Sequence, residues 1–251
     1  MVGKYKELRL IAYPSHKREY GNKLLYSILC RSVSTRLAVF LKKLNVSPNQ
    51  ISMVSILSGC IGIYCLFIGQ YLTGAILSAN SKFLDCIDGE VARLTGTFSK
   101  AGGWLEELNS NLQYLFLFPS IGFALYKQGV MGLIWVFFAM IAAGCFVAVR
   151  TTYNRTPPME SSGSLLKNII LCQFKHSNEL RQKNRLGAFL YYLRYNLIAQ
   201  NGIMYPALIL ICVVNPNWLS AYVKYFVFGF SIFFIGTFLG VLIGSRSYYV
   251  E

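Results

Sequence analysis

The sequence predicts an all-α, polytopic membrane protein: six transmembrane helices preceded by an amphipathic helix on the cytoplasmic surface. Three observations predict it. Hydrophobic residues fill 55% of the 251 positions and charged residues only 14%, which is far too apolar for an ordinary soluble domain. Apolar windows of about twenty residues, the length that crosses a hydrocarbon core, recur six times. The basic residues that give the chain its net charge of +14 collect between those windows rather than on one continuous polar surface. That placement suits membrane orientation better than a polynucleotide partner, so no nucleic acid is expected.

Residues 4 to 45 mix Tyr, Leu, Lys and Arg, and from Leu24 to Leu44 the apolar groups recur at helical spacing with basic residues between them. This is the amphipathic surface helix. Ser47-Pro48-Asn49-Gln50 then supplies a helix start, with proline early in the first turn. The six spans follow at about 51–68, 71–95, 103–126, 129–149, 195–214 and 220–244. Between the fourth and fifth, residues 150–194 include Pro157-Pro158 and Ser161-Ser162-Gly163-Ser164, which mark a polar connection rather than another span. No repeat and no second domain is visible, so residues 1–251 read as a single membrane domain, with 1–50 as its surface region and 51–251 as its transmembrane core. The last span carries Gly236-x-x-x-Gly240-x-x-x-Gly244. Such a strip lets another helix approach closely, either within the chain or from a second copy in a homodimer.

An even number of spans puts both termini on one side. Ten Lys or Arg precede the first span and eight lie from Arg150 to Arg194, whereas the opposite side offers Lys127 and Lys224. By the positive-inside rule both termini are cytoplasmic. With ten basic residues and no long apolar core in the first fifty positions, a cleaved signal peptide is not expected. Seven scattered cysteines read as free thiols, and His16 and His176 are too few and too isolated for a zinc site.

The chemistry is concentrated in Asp85-Cys86-Ile87-Asp88-Gly89-Glu90-Val91-Ala92-Arg93, at the end of the second span. Charges so close to a lipid-buried helix core are costly and mark function by default. At about 100° per residue, Asp85, Asp88, Gly89 and Ala92 share one helical face. Two carboxylates beside small residues suit a hard divalent cation, Mg²⁺, Mn²⁺ or Ca²⁺, that bridges a phosphate. Arg93 can hold phosphate or pair with an acid. Five of the ten acids lie between 85 and 107, which focuses negative charge in a chain otherwise basic. The plainer reading is a helix end that has reached water.

These residues resemble the signature of the CDP-alcohol phosphotransferase family, D-x2-D-G-x2-A-R-x8-G-x3-D-x3-D. The chain matches it from Asp85 through Arg93 and again at Gly102, and Val46-Ser47-Pro48-Asn49-Gln50-Ile51-Ser52 is similar to the segment before the first span in many members. The resemblance implies an enzyme of phospholipid biosynthesis that transfers a substituted phosphate from a CDP-linked donor to a lipid or polar alcohol or phosphate acceptor, releasing CMP. It implies Asp85, Asp88 and Glu106 as ligands of Mg²⁺ or Mn²⁺, with Gly89, Ala92, Arg93 and Gly102 shaping the donor site. Arg150 and Arg155, after the fourth span, match loosely the arginines that hold an acceptor phosphate; positive-inside anchoring accounts for them equally well.

The second half of the signature departs from the pattern. The third acid falls on Glu106, one methylene longer, and the fourth, which in the family deprotonates the acceptor hydroxyl, falls on Ser110. A serine hydroxyl is no base near neutral pH. A shift of register by one offers Glu107 and Asn111 instead, and adjacent acids on a helix point about 100° apart, so Glu106 and Glu107 cannot both face one ion. Family spacing favours Glu106. Three readings of Ser110 stand together: an acceptor that is already an anionic phosphate, a hydroxyl acceptor activated by another group with Glu107 the candidate, or a binding or regulatory relative without turnover. A small cation-coupled transporter is the competing class, against which stand the absence of paired broken helices and the position of the acids near a helix end rather than at the midplane.

Overall fold

The structure is a computed structural model that describes residues 2–12, 25–155 and 203–245, with Arg185 and Phe189 as isolated positions. Among the described residues the architecture is entirely helical. Helix α1 spans Val2–Ala12, α2 Leu25–Lys43, α3 Pro48–Phe67, α4 Tyr71–Thr95, α5 Lys100–Lys127, α6 Leu133–Arg155, α7 Tyr205–Val214 and α8 Leu219–Ser245. A 3-10 turn, Pro216–Trp218, joins the last two.

The helix boundaries have local causes. At the start of α3 the Ser47 side chain accepts from the Gln50 amide while the Gln50 side chain accepts from the Ser47 amide, with Pro48 in the first turn. This capping box satisfies two otherwise orphaned donors. Gly96 ends α4 in the left-handed conformation, with φ 71°, which glycine adopts without a Cβ penalty. Ser99 then caps α5 by accepting from the Gly102 amide at 2.9 Å. A second left-handed glycine, Gly129 with φ 73°, follows α5, and the next helix begins at Leu133 rather than near 129 as the apolar window suggests. The fifth predicted span is described only from Ile203 onward, and most of the 150–194 connection lies outside the described residues.

The packing is inside-out by the standard of a soluble protein. On α3 the buried face is Ile51, Ser52, Ser55, Ser58, Gly59, Gly62, Cys65 and Leu66, and the outward face is Met53, Val54, Leu57, Ile61 and Tyr64. Large apolar groups outside and small or polar groups inside are what a helix in lipid requires, because lipid tails give no reward for hiding Leu but favour close helix approach. Close approach is visible where α3 meets α4. A Cβ built on Gly74 would lie 2.7 Å from the Gly62 carbonyl oxygen, and one on Gly62 would lie 2.8 Å from the Ser78 amide nitrogen. Helix α3 and the stretch Pro216–Gly236 are long and apolar enough to cross a membrane, and Leu133–Ala148 and Tyr205–Val214 are shorter apolar segments.

Behind this seam lies an aromatic core of α5, α6 and α8. Phe118 stacks on Phe226 with centroids 4.1 Å apart, and Phe146 on Phe230 at 4.6 Å. A second, smaller core joins Ala12 of α1 and Ala38 of α2 to Ile51, Ile87, Val91 and Leu94. It anchors the N-terminal helices to the half of α4 that carries the acids. Ser34 of α2 reinforces this by donating to the buried Glu90 carboxylate at 3.0 Å.

Candidate functional site

The α3, α4 and α5 helices share a buried polar seam. Ser55 donates to the Ser81 carbonyl at 2.6 Å, Ser81 to the Asn109 side chain at 3.1 Å, and Asn109 back to Ser55 Oγ at 2.8 Å. One helix is thereby stitched to the next, and Tyr205 of α7 extends the seam by donating to Gln113 at 3.1 Å. Satisfied networks of this kind fix helices in a single register. Directly beside Asn109 and Ser81 sit Ser110 and Lys82, where the seam becomes the site.

Asp85 and Asp88 are both buried, 9% and 7% exposed. Ser52, in the second turn of α3, donates to Asp88 Oδ2 at 2.6 Å, so the start of α3 and the first acid pair are in direct contact. Asp85 Oδ2 is ion-paired with Lys82. Its other oxygen, Oδ1, is buried and has no hydrogen-bond partner among the described residues. A buried carboxylate oxygen left unpaired is costly and calls for an external partner. The two aspartates on one helical face therefore fit a hard divalent cation, which commonly takes one or two carboxylates and completes its shell with phosphate and water oxygens.

Gly89 lies next to Arg93: a Cβ there would be 3.3 Å from Arg93 Nη1. Arg93 Nε donates to the Ala12 carbonyl at 2.7 Å, which ties the end of α1 to this face of α4. Ala92 is half-buried beside it. Gly102 sits in the first turn of α5, against α3, where a Cβ would come within 3.2 Å of Asn49 Oδ1 and of Ser99 Oγ. Lys42 of α2 closes the rim by donating to the Leu94 carbonyl at 2.7 Å. An open cavity of about 500 Å³ lies alongside, lined by Lys42, Ser47, Asn49, Thr95 and Phe98 among others.

The α5 acids are placed differently. Glu106 is exposed, near enough for its charge to act on both Lys82 and Asp88. Glu107 is half-buried, and its Oε1 is enclosed without a hydrogen-bond partner. Among the described residues no three His, Cys, Asp or Glu side chains are gathered closely enough to hold a metal on their own. Ser110 is 3% exposed and accepts from Lys82 Nζ at 3.2 Å. Arg150 reaches the next residue, donating from Nη1 to Asn111 Oδ1 at 2.6 Å with its guanidinium over the Tyr114 ring. The Arg155 side chain lies outside what the structure describes.

Sequence reasoning missed Lys82. Its signal was present: it is the lone Lys or Arg between Lys43 and Arg93, three positions before Asp85. An apolar window absorbs a single lysine without trace, and only the fold shows that it contacts both halves of the signature. The roles of Ser52 toward Asp88 and of Ser34 toward Glu90 were also invisible, because partners 36 and 56 residues apart are brought together by tertiary packing alone.

Comparison with known proteins adds an independent line. The family profile described as CDP-alcohol phosphatidyltransferase matches residues 45–212. An archaetidylinositol phosphate synthase from Pyrococcus horikoshii is 34% identical over 71 residues, covering 28% of this chain and 38% of that protein. A bifunctional IPC transferase and DIPP synthase from Aquifex aeolicus is 30% identical over 135 residues, covering 53% of this chain and 29% of that protein. One with the same description from Thermococcus kodakarensis is 39% identical over 80 residues, 32% of this chain and 18% of its own length. The chain thus aligns with well under half of each of these relatives.

Proposed function

Because the chain belongs to the CDP-alcohol phosphatidyltransferase family, we propose that it is a membrane transferase moving a substituted phosphate from a CDP-linked donor to an acceptor, with CMP as the leaving group. The observation that carries this reading is the burial of Asp85 and Asp88 on one face of α4, with Asp85 Oδ1 unpartnered among the described residues. The chain is a single membrane domain of six crossings with both termini cytoplasmic, and α1 and α2 form its surface region. The half-buried Gly236, which meets no heavy atom within 4 Å of a built Cβ, leaves room for a second copy in a homodimer.

In this reading Asp85, Asp88 and Glu106 would hold Mg²⁺ or Mn²⁺, which would supply neutralisation of the donor's diphosphate. Gly89 and Gly102 let the donor approach the backbone of α4 and α5, and Arg93, next to Gly89, holds phosphate oxygens. Arg150, with Arg155, receives an anionic acceptor at the α5 edge.

The acceptor is an already anionic phosphate. At Ser110 the neighbour of the hydroxyl is an ammonium, so this position offers no carboxylate base. A phosphate oxygen needs none: it attacks the phosphorus bearing the alcohol, the bond from that phosphorus to CMP breaks, CMP leaves with the electron pair, and the product is a diphosphate. One relative is described as an archaetidylinositol phosphate synthase, which makes a phosphorylated polyol the acceptor to test first.

The test is CMP release by the purified protein with CDP-linked lipids or polyols, Mn²⁺ and matched acceptors with and without a phosphate. The phosphorylated acceptor is expected to be faster and to yield a diphosphate. A faster reaction with the unphosphorylated polyol would move the chemistry to a hydroxyl activated by Glu107. No CMP from any donor, together with cation-driven substrate uptake in vesicles, would replace the enzyme with a transporter.

A further inference from the structure

Lys82 is the least expected charge in the molecule. It lies about 16 Å along α4 from the first residue and about 20 Å from the last, at 1.5 Å per residue, too deep for its stem to snorkel to either end. Its side chain is 8% exposed and that of Asp85 is 5% exposed. Burying such a cation in a membrane helix is expensive, and one that is retained has a partner and a task.

Its two contacts define the task. Lys82 Nζ pairs with Asp85 Oδ2 on its own helix and donates to Ser110 Oγ, 3.2 Å away on α5. The ammonium therefore bridges the first acid of the signature to the position where its last acid is replaced by a hydroxyl. An ion bridging carboxylates on α4 and α5 would occupy the same place. The charge balance agrees. Asp85, Asp88 and Glu106 against Lys82 leave two negative charges, which one divalent ion neutralises. An acid at position 110 without the lysine would leave four, enough for two such ions.

Resting on the transferase reading above, we propose that the Lys82 ammonium is a built-in cation that takes the place of one divalent ion, so that each chain loads a single metal, on Asp88, Glu106 and the free Oδ1 of Asp85. The pairing with Oδ2 has a second effect: it fixes the Asp85 carboxylate with its unpartnered oxygen directed away from the lysine. Lys82 is thus a positioning residue for the metal as well as a permanent counter-charge. The Ser110 hydroxyl, acceptor to an ammonium and carrying no charge, is the partner a fixed cation needs where a carboxylate would attract a mobile one.

Counting bound Mn²⁺ on the full chain in detergent with CDP present, by the loss of the free-ion resonance signal, tests this without turnover. The wild type, Lys82→Arg and Ser110→Asp are expected to bind one ion per chain, because each keeps the internal cation. The double variant Lys82→Leu/Ser110→Asp is expected to bind two. Two ions on the wild type, or one on the folded double variant, would overturn the built-in cation while leaving the transferase reading in place. No ion on either would overturn both, and the wild-type count decides by itself if the double variant fails to fold.

Discussion

The end of α4 and the start of α5 carry the two halves of one signature, and they are built on opposite principles. On α4 the acids are buried, each on a defined partner: Asp88 on Ser52, Asp85 on Lys82, Glu90 on Ser34. On α5, Glu106 is exposed and the remaining position is an uncharged serine. The first half is organised around negative charge that needs a cation. The second half contributes a hydroxyl to a cation already present. The two halves meet where Lys82 of α4 donates to Ser110 of α5 at 3.2 Å.

Removing the lysine breaks the comparison most severely. Lys82→Leu leaves Asp85 buried without its counter-charge and is expected to cost about 3–5 kcal/mol of stability, seen as a lower unfolding temperature in detergent that added Mn²⁺ partly restores. If Mn²⁺ restores nothing, Asp85 does not face the ion. Asp88→Asn keeps the shape of the α4 half and removes one charge; CMP release is expected to fall about 10²–10³-fold with little change in unfolding temperature. Ser52→Ala frees Asp88 from its α3 donor and is expected to weaken Mn²⁺ affinity about 10–100-fold, as loss of an outer-shell partner does. The smallest effect is expected from α5. Asn109→Ala removes two hydrogen bonds of the seam beside Ser110 and lowers stability by about 1–2 kcal/mol, with the number of bound ions unchanged. A changed ion count in that variant would make the seam part of the metal site.

Much of this was legible in the sequence because the signals are local. The helix start at Ser47-Pro48, the extent of α4 over 71–95 and the shared face of Asp85 and Asp88 follow from adjacent residues and helical periodicity. The beginning of α6 was less legible, since an apolar window does not register that Gly129 takes a left-handed φ and delays the helix to Leu133. The pairing of Lys82 with Ser110 was not legible at all. The two are 28 positions apart, and a hydropathy window counts a lysine as a tolerated defect, whereas the fold makes it the bridge between two helices. The serine that looked like a lost base is, beside that lysine, the hydrogen-bond acceptor of a buried ammonium.

The measurement that tests the account most directly is CMP release from a CDP-linked lipid by the wild-type chain in lipid nanodiscs with Mn²⁺ and a phosphorylated polyol, run beside Asp85→Asn and Asp88→Asn. The account predicts one CMP per acceptor consumed in the wild type and a loss of about 10²–10³-fold in both variants. Wild-type protein that releases no CMP from any CDP-linked donor, or release that is undiminished in both variants, would contradict it.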